Sequence, residues 1–372
     1  MQDEEPQTVR AALQRVLTLG LGMAVLASAA AHADAKKLTD IVIGLPSSAS
    51  LNYSMFTAAM ELGYFEQEGL SVRLQELQGG AVVMSQVVTK SIPIGTGTAD
   101  PLMIANQPGR SRLPLKFFYN QTREYNWEFV VPESSPIRAI ADLKGRRIGV
   151  GALTNSHMPV SRMILKDSGL QLNRDYRFIA IGSAGPAFSA LLNGQVDAYI
   201  TFTTNIARFE SSPEGRQLRS LPIGDRFKGL FQNGFFAHED VIKNTPQLLI
   251  GFGRASAKAT IFCQQAMEFC LQSYWRHFPN LKPRDSDAQS EHRLVESLKA
   301  PWNAYFAFPQ GQVRRFGEYP QAGWQALMEI LFAGGEIASK YDPATLYTNE
   351  LVARINDFDA AAIEKQALSY RK

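Results

Sequence analysis

The hydrophobic pattern along the chain alternates between short apolar strands and amphipathic helices. Residues 40–46 (DIVIGLP) form an apolar run, and the apolar positions that follow recur at helical spacing. Residues 71–78 alternate as a strand does, Gly79 and Gly80 open a second helix, and residues 92–100 end a strand in small residues. This alternation predicts an α/β fold whose mostly parallel sheets are covered by helices on both faces.

The same order of elements begins again in the middle of the chain. Residues 148–152 form a strand, and the small polar residues 154–156 come just before a helix. The C-terminal third is mainly helical and is expected to return to the first half. We therefore predict one lobe from residues 36–135 and 233–372, and a second lobe from residues 136–232. In such folds ligands bind beyond the carboxyl ends of the strands, where loops open helices.

The first 35 residues have the pattern of a secretory signal peptide, so we predict residues 1–35 as a cleaved leader. Arg10 and Arg15 precede an apolar run that ends in small residues, and residues 31–33 (AHA) fit a cleavage site. The run is too short to span a bilayer comfortably. The signal-peptide pattern therefore predicts export to the periplasm. The alternative is that the segment stays uncleaved as a membrane anchor.

Charge and cysteine content narrow the possible functions. The formal net charge is +3, and removal of the leader takes away two basic and four acidic side chains, which gives about +5. The basic residues are scattered, so nucleic-acid binding is not indicated. Cys263 and Cys270 lie in a stretch that resembles one continuous helix, where a separation of seven residues is a rise of about 10.5 Å, beyond the reach of a disulfide. We expect two buried, unbridged thiols.

The chain carries no motif of a known catalytic centre. It has no Gly-x-Ser-x-Gly, no His-Glu-x-x-His, no P-loop and no dinucleotide-binding fingerprint. The five histidines are dispersed, and the two cysteines do not form a zinc motif. We therefore predict a binding protein rather than an enzyme, with no metal and no cofactor.

Three stretches of the sequence carry a resemblance to a known family. They are residues 59–74 (AMELGYFEQEGLSVRL), 142–150 (DLKGRRIGV) and 190–200 (ALLNGQVDAYI). In this order, behind a signal peptide, the chain resembles the exported solute-binding proteins of ABC transporters, in the branch that binds aliphatic sulfonates, nitrate and thiamine pyrimidines. The resemblance implies a two-lobed type II periplasmic-binding-protein fold with a ligand cleft. It also implies a monomer that delivers a small polar or anionic molecule (a sulfonate, nitrate, a carboxylate or a pyrimidine) to an inner-membrane permease. The alternatives are a ligand-sensing subunit of a membrane receptor and a pyrimidine-synthesising enzyme on the same fold.

The resemblance also implies which loops line the cleft. By position, the expected ligand contacts are Ser47, Ser48, Tyr53, Gly79, Gly80, Ala81, Thr98, Ala99, Asp100, Thr154, Asn155, Ser156, His157, Ser183, Gly185 and Thr203. His157 could instead be a cap or surface residue, and Asp100 could only cap the helix that Pro101 begins. Trp127 lies near the expected hinge and is not predicted as a pocket residue. The sequence of the segment that contains Thr203 differs from the pattern of the sulfonate binders. If the side chain of Asp100 points into the cleft, it would favour a ligand that carries an amine or a ring N–H.

Overall fold

The computed structural model describes residues 37–47, 50–77, 79–183, 185–212, 215–227, 229–283, 287–306, 308 and 311–370. The strands in this part of the chain are β1 Thr39–Leu45, β2 Leu70–Glu76, β3 Ile94–Gly97, β4 Leu115–Asn120, β5 Trp127–Pro132, β6 Arg146–Val150, β7 Tyr176–Ala180, β8 Ala198–Phe202, β9 Leu218–Leu221 and β10 Gly234–His238. The α-helices are α1 Ser54–Glu61, α2 Tyr64–Gln67, α3 Gly80–Val88, α4 Asp100–Ala105, α5 Met158–Asp167, α6 Gly185–Leu192, α7 Thr203–Glu210, α8 Glu239–Asn244, α9 Pro246–Gln265, α10 Met267–His277, α11 Ala288–Phe306, α12 Gln321–Gly334, α13 Val352–Ile355 and α14 Ala360–Leu368.

The strands form two five-stranded sheets of matching design. The first has the order β2-β1-β3-β10-β4, in which β1 is parallel to β2 and β3, and β10 is antiparallel to β3 and β4. The second has the order β7-β6-β8-β5-β9, in which β6 is parallel to β7 and β8, and β5 is antiparallel to β8 and β9. In each sheet the antiparallel strand is the first one after the chain crosses from the other sheet. The predicted α/β class is confirmed, and the sheets are mixed rather than mostly parallel.

The chain crosses between the sheets twice. It leaves the first sheet after Asn120 and enters the second at Trp127, and it leaves the second after Leu221 and returns at Gly234. Strand β5 therefore pairs in the second sheet, whereas the sequence pattern placed it in the first lobe. An apolar run such as WEFVVP fits the middle of either sheet, because its pairing with β8 and β9 depends on residues distant in sequence.

Apolar residues from both sheets join in one core cluster. It includes Val83 and Phe117 on the side of the first sheet, Phe129 and Ile148 on the side of the second, and Trp324 from α12. A second large cluster lies between the first sheet and the helices α1, α9 and α10. Since burial of apolar surface is the main favourable term in folding, these two clusters account for most of the stability that positions the site.

Cys263 and Cys270 form a disulfide, which corrects the prediction of two free thiols. The stretch that resembles one helix is two helices, because Ala266 between α9 and α10 has φ −126° and ψ 54°. This break brings the two Cα atoms to 5.8 Å. A continuous helix would hold them about 10.5 Å apart. The observed distance lies within the range that a disulfide needs.

The predicted signal peptide, residues 1–35, lies outside the described residues. Among the helices that are described, none combines the length and the apolar character that a membrane crossing requires.

Candidate ligand-binding site between the two sheets

The two segments that cross between the sheets lie side by side. The backbone N–H groups of Gln121 and Thr122 donate to the carbonyl oxygen of Asn233 at 3.1 and 2.9 Å, and Gln232 N–H donates to the Thr122 carbonyl at 2.9 Å. The side chains of Gln121, Thr122 and Gln232 are buried. These bonds use main-chain groups only, so the buried side chains require partners of their own.

A set of buried polar atoms near these segments has no hydrogen-bond partner among the described residues. Two of them, Asn120 Oδ1 and Gln121 Oε1, belong to residues that line a cavity described below. Six further residues carry Asp100 Oδ2, the Tyr125 hydroxyl, both amide atoms of Asn126, Trp127 Nε1, His157 Nε2 and both amide atoms of Gln232. We call these six residues the junction cluster. A buried polar atom left without a partner costs about 1–3 kcal/mol, and native structures contain few of them. The ring stack joins Trp127 to His157, Tyr125 senses the charge of Asp100, and Gln232 lies on the paired crossing, so these groups are candidate contacts for a bound polar molecule.

Asp100 is the one acidic residue of the junction cluster. It is the first residue of α4, its exposed fraction is 1%, and Thr98 Oγ1 donates to its Oδ1. Burial raises the pKa of this carboxyl to about 7, and the hydrogen bond from Thr98 acts in the opposite direction. Two more distant charges also act on it, from Arg162 and Glu336, and these pair with each other at 2.6 Å. Asp100 thus begins α4 with a buried side chain, and no side chain caps this helix.

His157 stands just before α5 and stacks on Trp127, the first residue of β5. The ring centroids lie 3.7 Å apart, with 25° between the planes. The exposed fraction of His157 is 1%, and burial lowers the pKa of its imidazole to about 3. The ring is therefore neutral near pH 7. Its Nδ1 lies 3.0 Å from Ser161 Oγ, so Nε2 is left to donate or accept according to the tautomer.

The Tyr125 hydroxyl links these two parts of the cluster. Burial raises the pKa of this phenol, the hydroxyl of Ser161 lowers it, and the negative charge of Asp100 raises it again. Tyr125 thus stays a neutral hydroxyl close to Ser161 and Asp100, and its geometry meets the criteria of a hydrogen bond to neither. The cluster as a whole offers one carboxyl, a phenol, an imidazole, an indole N–H and two amides. Within the described ranges, no three His, Cys, Asp or Glu side chains are grouped as a metal site requires.

Gly79 and Gly80 contact the loop that opens α5. Gly79 has φ +102°, a conformation that favours glycine, and a Cβ there would lie 3.0 Å from Thr154 Oγ1. A Cβ on Gly80 would lie 3.1 Å from Cβ of Ser156. The glycine pair belongs to the side of the first sheet and the loop belongs to the side of the second. The structure therefore brings together two loops that were both predicted to line the cleft.

The remaining residues predicted to contact ligand lie in several different environments. Tyr53 is a core residue whose ring centroid lies 6.1 Å from that of Phe56. Thr203 donates to the Tyr305 hydroxyl at 2.5 Å. Ala99 is buried and Asn155 is half-buried. The exposed members of the set are Ser47, Ala81, Thr154, Ser183 and Gly185, while Ser48 lies outside the described residues.

The sequence pattern misses Tyr125, Asn126 and Gln232, and it treats Trp127 as a hinge residue. Three of these four residues lie outside strands, in polar stretches (NQTREYN and FQNG) that join two apolar runs. Amide and phenol side chains that are buried in a connecting segment are unusual, because such segments normally run over the surface. Their burial becomes apparent only when the two crossings are placed side by side.

Arg123, also in the first crossing, lines a cavity apart from the junction cluster. Its guanidinium carbon lies 4.2 Å from the ring centroid of Phe308, and burial lowers its pKa. The cavity is also lined by Tyr119, Asn120 and Gln121. None of its lining residues belongs to the junction cluster, and Arg123 is not among the charges that shift the pKa of Asp100. This guanidinium therefore does not neutralise Asp100.

A comparison with known protein families identifies the family of this chain. The family model described as "NMT1/THI5 like" matches residues 50–266, which is more than half of the sequence, and the chain belongs to this family. None of the curated proteins matches the chain.

Several solved structures share the fold. The chain is similar to a protein from Bordetella bronchiseptica RB50 at 22% identity, over 86% of this chain and 98% of that chain, with a TM-score of 0.64. It is similar to the periplasmic aliphatic sulphonate binding protein SsuA from Escherichia coli at 16% identity, over 82% and 91% of the two chains, with a TM-score of 0.55. It is also similar to the desulfurization enzyme DSZB at 15% identity, over 85% and 98%, with a TM-score of 0.52. These likenesses confirm the predicted two-lobed periplasmic-binding-protein fold.

Proposed function

We propose that this chain is an exported solute-binding protein that captures a small polar organic molecule between its two sheets and delivers it to an ABC transporter permease. The observation that carries the proposal is the junction cluster. Its unpartnered polar atoms come from α4, from the residue before α5 and from both crossing segments, which is where a ligand enclosed by two lobes would lie. The similar protein SsuA from Escherichia coli is a periplasmic aliphatic sulphonate binding protein, which supports a solute-binding role.

Export is part of the proposal. Residues 1–35 have the order of a basic segment, an apolar segment and small residues that secretory signal peptides show. The relative SsuA from Escherichia coli is periplasmic. A periplasmic monomer can reach both a solute that enters the periplasm and a permease in the inner membrane.

We further propose that ligand binding closes the lobes about the crossing segments. One lobe is built on each sheet, with its boundaries at residues 121–126 and 222–233. Contacts between the two sides include the hydrogen bond from Thr204 Oγ1 to Asn52 Oδ1 at 2.8 Å and the one from Thr203 to Tyr305. Opening of the cleft would break these bonds, and closure would restore them around the ligand.

An enzyme on the same fold fits the side chains less well. Both cysteines of the sequence are in the disulfide, so the chain offers no free thiol as a nucleophile. The contact between His157 and Ser161 has the geometry of a base and a nucleophile. However, an imidazole whose pKa is held at about 3 is too weak a base to activate a hydroxyl near pH 7.

A ligand screen on the mature protein tests the proposal. Thermal unfolding is measured with sulfonates, nitrate, carboxylates and pyrimidines, because a ligand at a hundred times its Kd stabilises a protein by about 2.7 kcal/mol. The variant Asn126→Ala/Gln232→Ala should lose this stabilisation. The control Ser256→Ala removes a buried hydroxyl that donates to Phe252 within α9, at 2.8 Å, and should keep it. Full stabilisation of the Asn126/Gln232 variant would place the ligand elsewhere.

Delivery to a permease needs a separate measurement. Deletion of the gene should abolish uptake of the labelled ligand, and complementation with the wild-type chain should restore it. The Asn126→Ala/Gln232→Ala chain should fail to restore uptake. Normal uptake in the deletion strain would contradict a transport role and favour a sensing role.

A further inference from the structure

We infer that Asp100 selects the charge of the ligand, so that the site takes a molecule presenting a protonated amine or another N–H donor and rejects simple anions. The inference rests on the proposed solute-binding function and names the ligand class of that site.

The bonding of Asp100 is incomplete on one oxygen. A carboxylate accepts hydrogen bonds on both oxygens, and Thr98 supplies a donor to Oδ1 only. Oδ2 has no partner among the described residues although the exposed fraction of Asp100 is 1%. A buried carboxylate is unfavourable unless a donor or a cation compensates it. Because the pKa of Asp100 is about 7, the carboxylate form prevails at pH 8, and in that form Oδ2 lacks a donor.

The charged and titratable groups around Asp100 do not supply this donor. Arg162 of α5 makes a two-point ion pair with Glu336, at 2.6 and 2.9 Å, which occupies its Nε and one terminal nitrogen. The hydroxyl of Tyr341 donates to the carbonyl of Met103 in α4 at 2.6 Å. Both groups are committed to other acceptors in the described structure.

The other two titratable groups of the junction cluster are neutral. The buried imidazole of His157 carries no charge near pH 7, and the Tyr125 phenol stays protonated because burial raises its pKa. At pH 8, above the pKa of Asp100, a sulfonate or carboxylate beside it would therefore meet a buried negative charge that only the more distant Arg162 offsets. An ammonium or a ring N–H would instead complete Oδ2 through a charge-assisted hydrogen bond, which is the stronger kind.

Three probes with the same two-carbon chain separate these cases: ethylamine, taurine and ethanesulfonate. At pH 8 we expect ethylamine and taurine to bind at least tenfold more tightly than ethanesulfonate, by calorimetry. A second set with an aromatic ring consists of phenethylamine, phenylalanine and 3-phenylpropanoate, and the same order is expected. In Asp100→Asn the preference for the amines should fall to about threefold or less. Equal or tighter binding of the anions by the wild-type protein would overturn the inference and leave solute binding intact.

The unliganded protein gives an independent test. Asp100→Asn keeps an acceptor for Thr98 and removes a buried charge without a partner, so its melting temperature at pH 8 should exceed that of the wild type. The matched control is Asp197→Asn, since the carboxylate of Asp197 pairs with Arg147 Nε at 3.1 Å. That variant should melt at a lower temperature. A lower melting temperature for Asp100→Asn would overturn the inference even if none of the six probes binds. The proposed function fails by a different result, namely that no solute of any charge stabilises the protein.

Discussion

The imidazole of His157 and the indole of Trp127 are stacked with their centroids 3.7 Å apart, which joins the beginning of α5 to the first strand after the crossing. The stack leaves His157 Nε2 and Trp127 Nε1 buried and unpartnered. Because both rings are held by their neighbours, these two nitrogens are positioned before a ligand arrives. Trp127 Nε1 can only donate to a ligand, His157 Nε2 donates or accepts according to its tautomer, and the carboxylate of Asp100 accepts.

Replacement of His157 by Phe should separate the stack from the hydrogen bond. Phenylalanine keeps an aromatic ring against Trp127 and removes Nε2. The loss of one neutral hydrogen bond, about 0.5–1.5 kcal/mol, should weaken ligand binding about 2- to 13-fold in calorimetry. His238→Phe is the control, because that side chain accepts from Asp240 N–H at the start of α8. Unchanged affinity in His157→Phe would show that Nε2 does not bind the ligand.

His157 should stay neutral over the whole physiological range. Burial lowers the pKa of its imidazole from 6.5 to about 3. NMR of the unliganded protein, with its ring resonances assigned through His157→Phe, should therefore show no titration of this residue between pH 5 and pH 8. A midpoint near pH 6.5 would mean that the ring is open to water in the unliganded state.

The stability of the unliganded protein should depend on pH through Asp100. The pKa of this carboxyl is about 7 in the folded protein against its ordinary value of 3.8, so the folded state binds the proton more tightly. The stability that it contributes is present below about pH 4 and is lost as the pH rises towards 7. At 1.36 kcal/mol per unit, the advantage of Asp100→Asn over the wild type should grow by roughly 2–3 kcal/mol between pH 5 and pH 8. Urea unfolding at pH 5 and pH 8 measures the difference in unfolding free energy between Asp100→Asn and the wild type. A difference that stays the same at both pH values would contradict the burial of an unpaired carboxyl.

The strands and the helix-opening loops were predictable because they depend on local patterns. The apolar run before Pro46 is β1, and the small residues before Asp100 close β3, as the periodicity indicates. The pairing of β5 with the second sheet was not predictable, since an apolar segment does not specify its partner. The junction cluster was missed for the same reason: Asn126 and Gln232 become neighbours of the site only through two crossings that are far apart in sequence.

The disulfide was missed because a single residue changes the geometry. Ala266 has good helix propensity, so the apolar spacing around it predicts one continuous helix. The observed break at this residue depends on the packing of α9 and α10 into the core, where both cysteines are fully buried. Local propensity is a weak predictor against tertiary packing of this kind.

The disulfide should be detectable and should stabilise the fold. Mass spectrometry of the denatured, unreduced protein should show no alkylation of Cys263 or Cys270. Closing a loop of this short length stabilises a protein by about 2–3 kcal/mol in the chain-entropy estimate, so Cys263→Ser/Cys270→Ser should lose about this much in urea unfolding. Reduction of the wild type should give a similar loss. Two alkylated cysteines in the unreduced protein would refute the bridge.

A substitution at the contact between Gly80 and Ser156 should change the closure of the lobes without a matching loss of folding stability. A Cβ at position 80 would lie 3.1 Å from Cβ of Ser156, which is tighter than ordinary contact, so Gly80→Ala should disfavour the closed form. Gly80 is also the first residue of α3, where alanine is a better helix former than glycine. We therefore expect the unfolding free energy of the unliganded protein to stay within about 1 kcal/mol of the wild type, or to rise. Ligand affinity should fall about fivefold, because a closed state that costs about 1 kcal/mol more reduces binding by that factor.

Calorimetry measures the ligand affinity and urea unfolding measures the unfolding free energy, and Gly80→Ala/Ser156→Gly is the matched control. The double variant removes the contact and should regain the affinity of Ser156→Gly alone. If Gly80→Ala binds as tightly as the wild type, the two loops do not approach each other in the liganded protein, and the contact does not belong to the closed state.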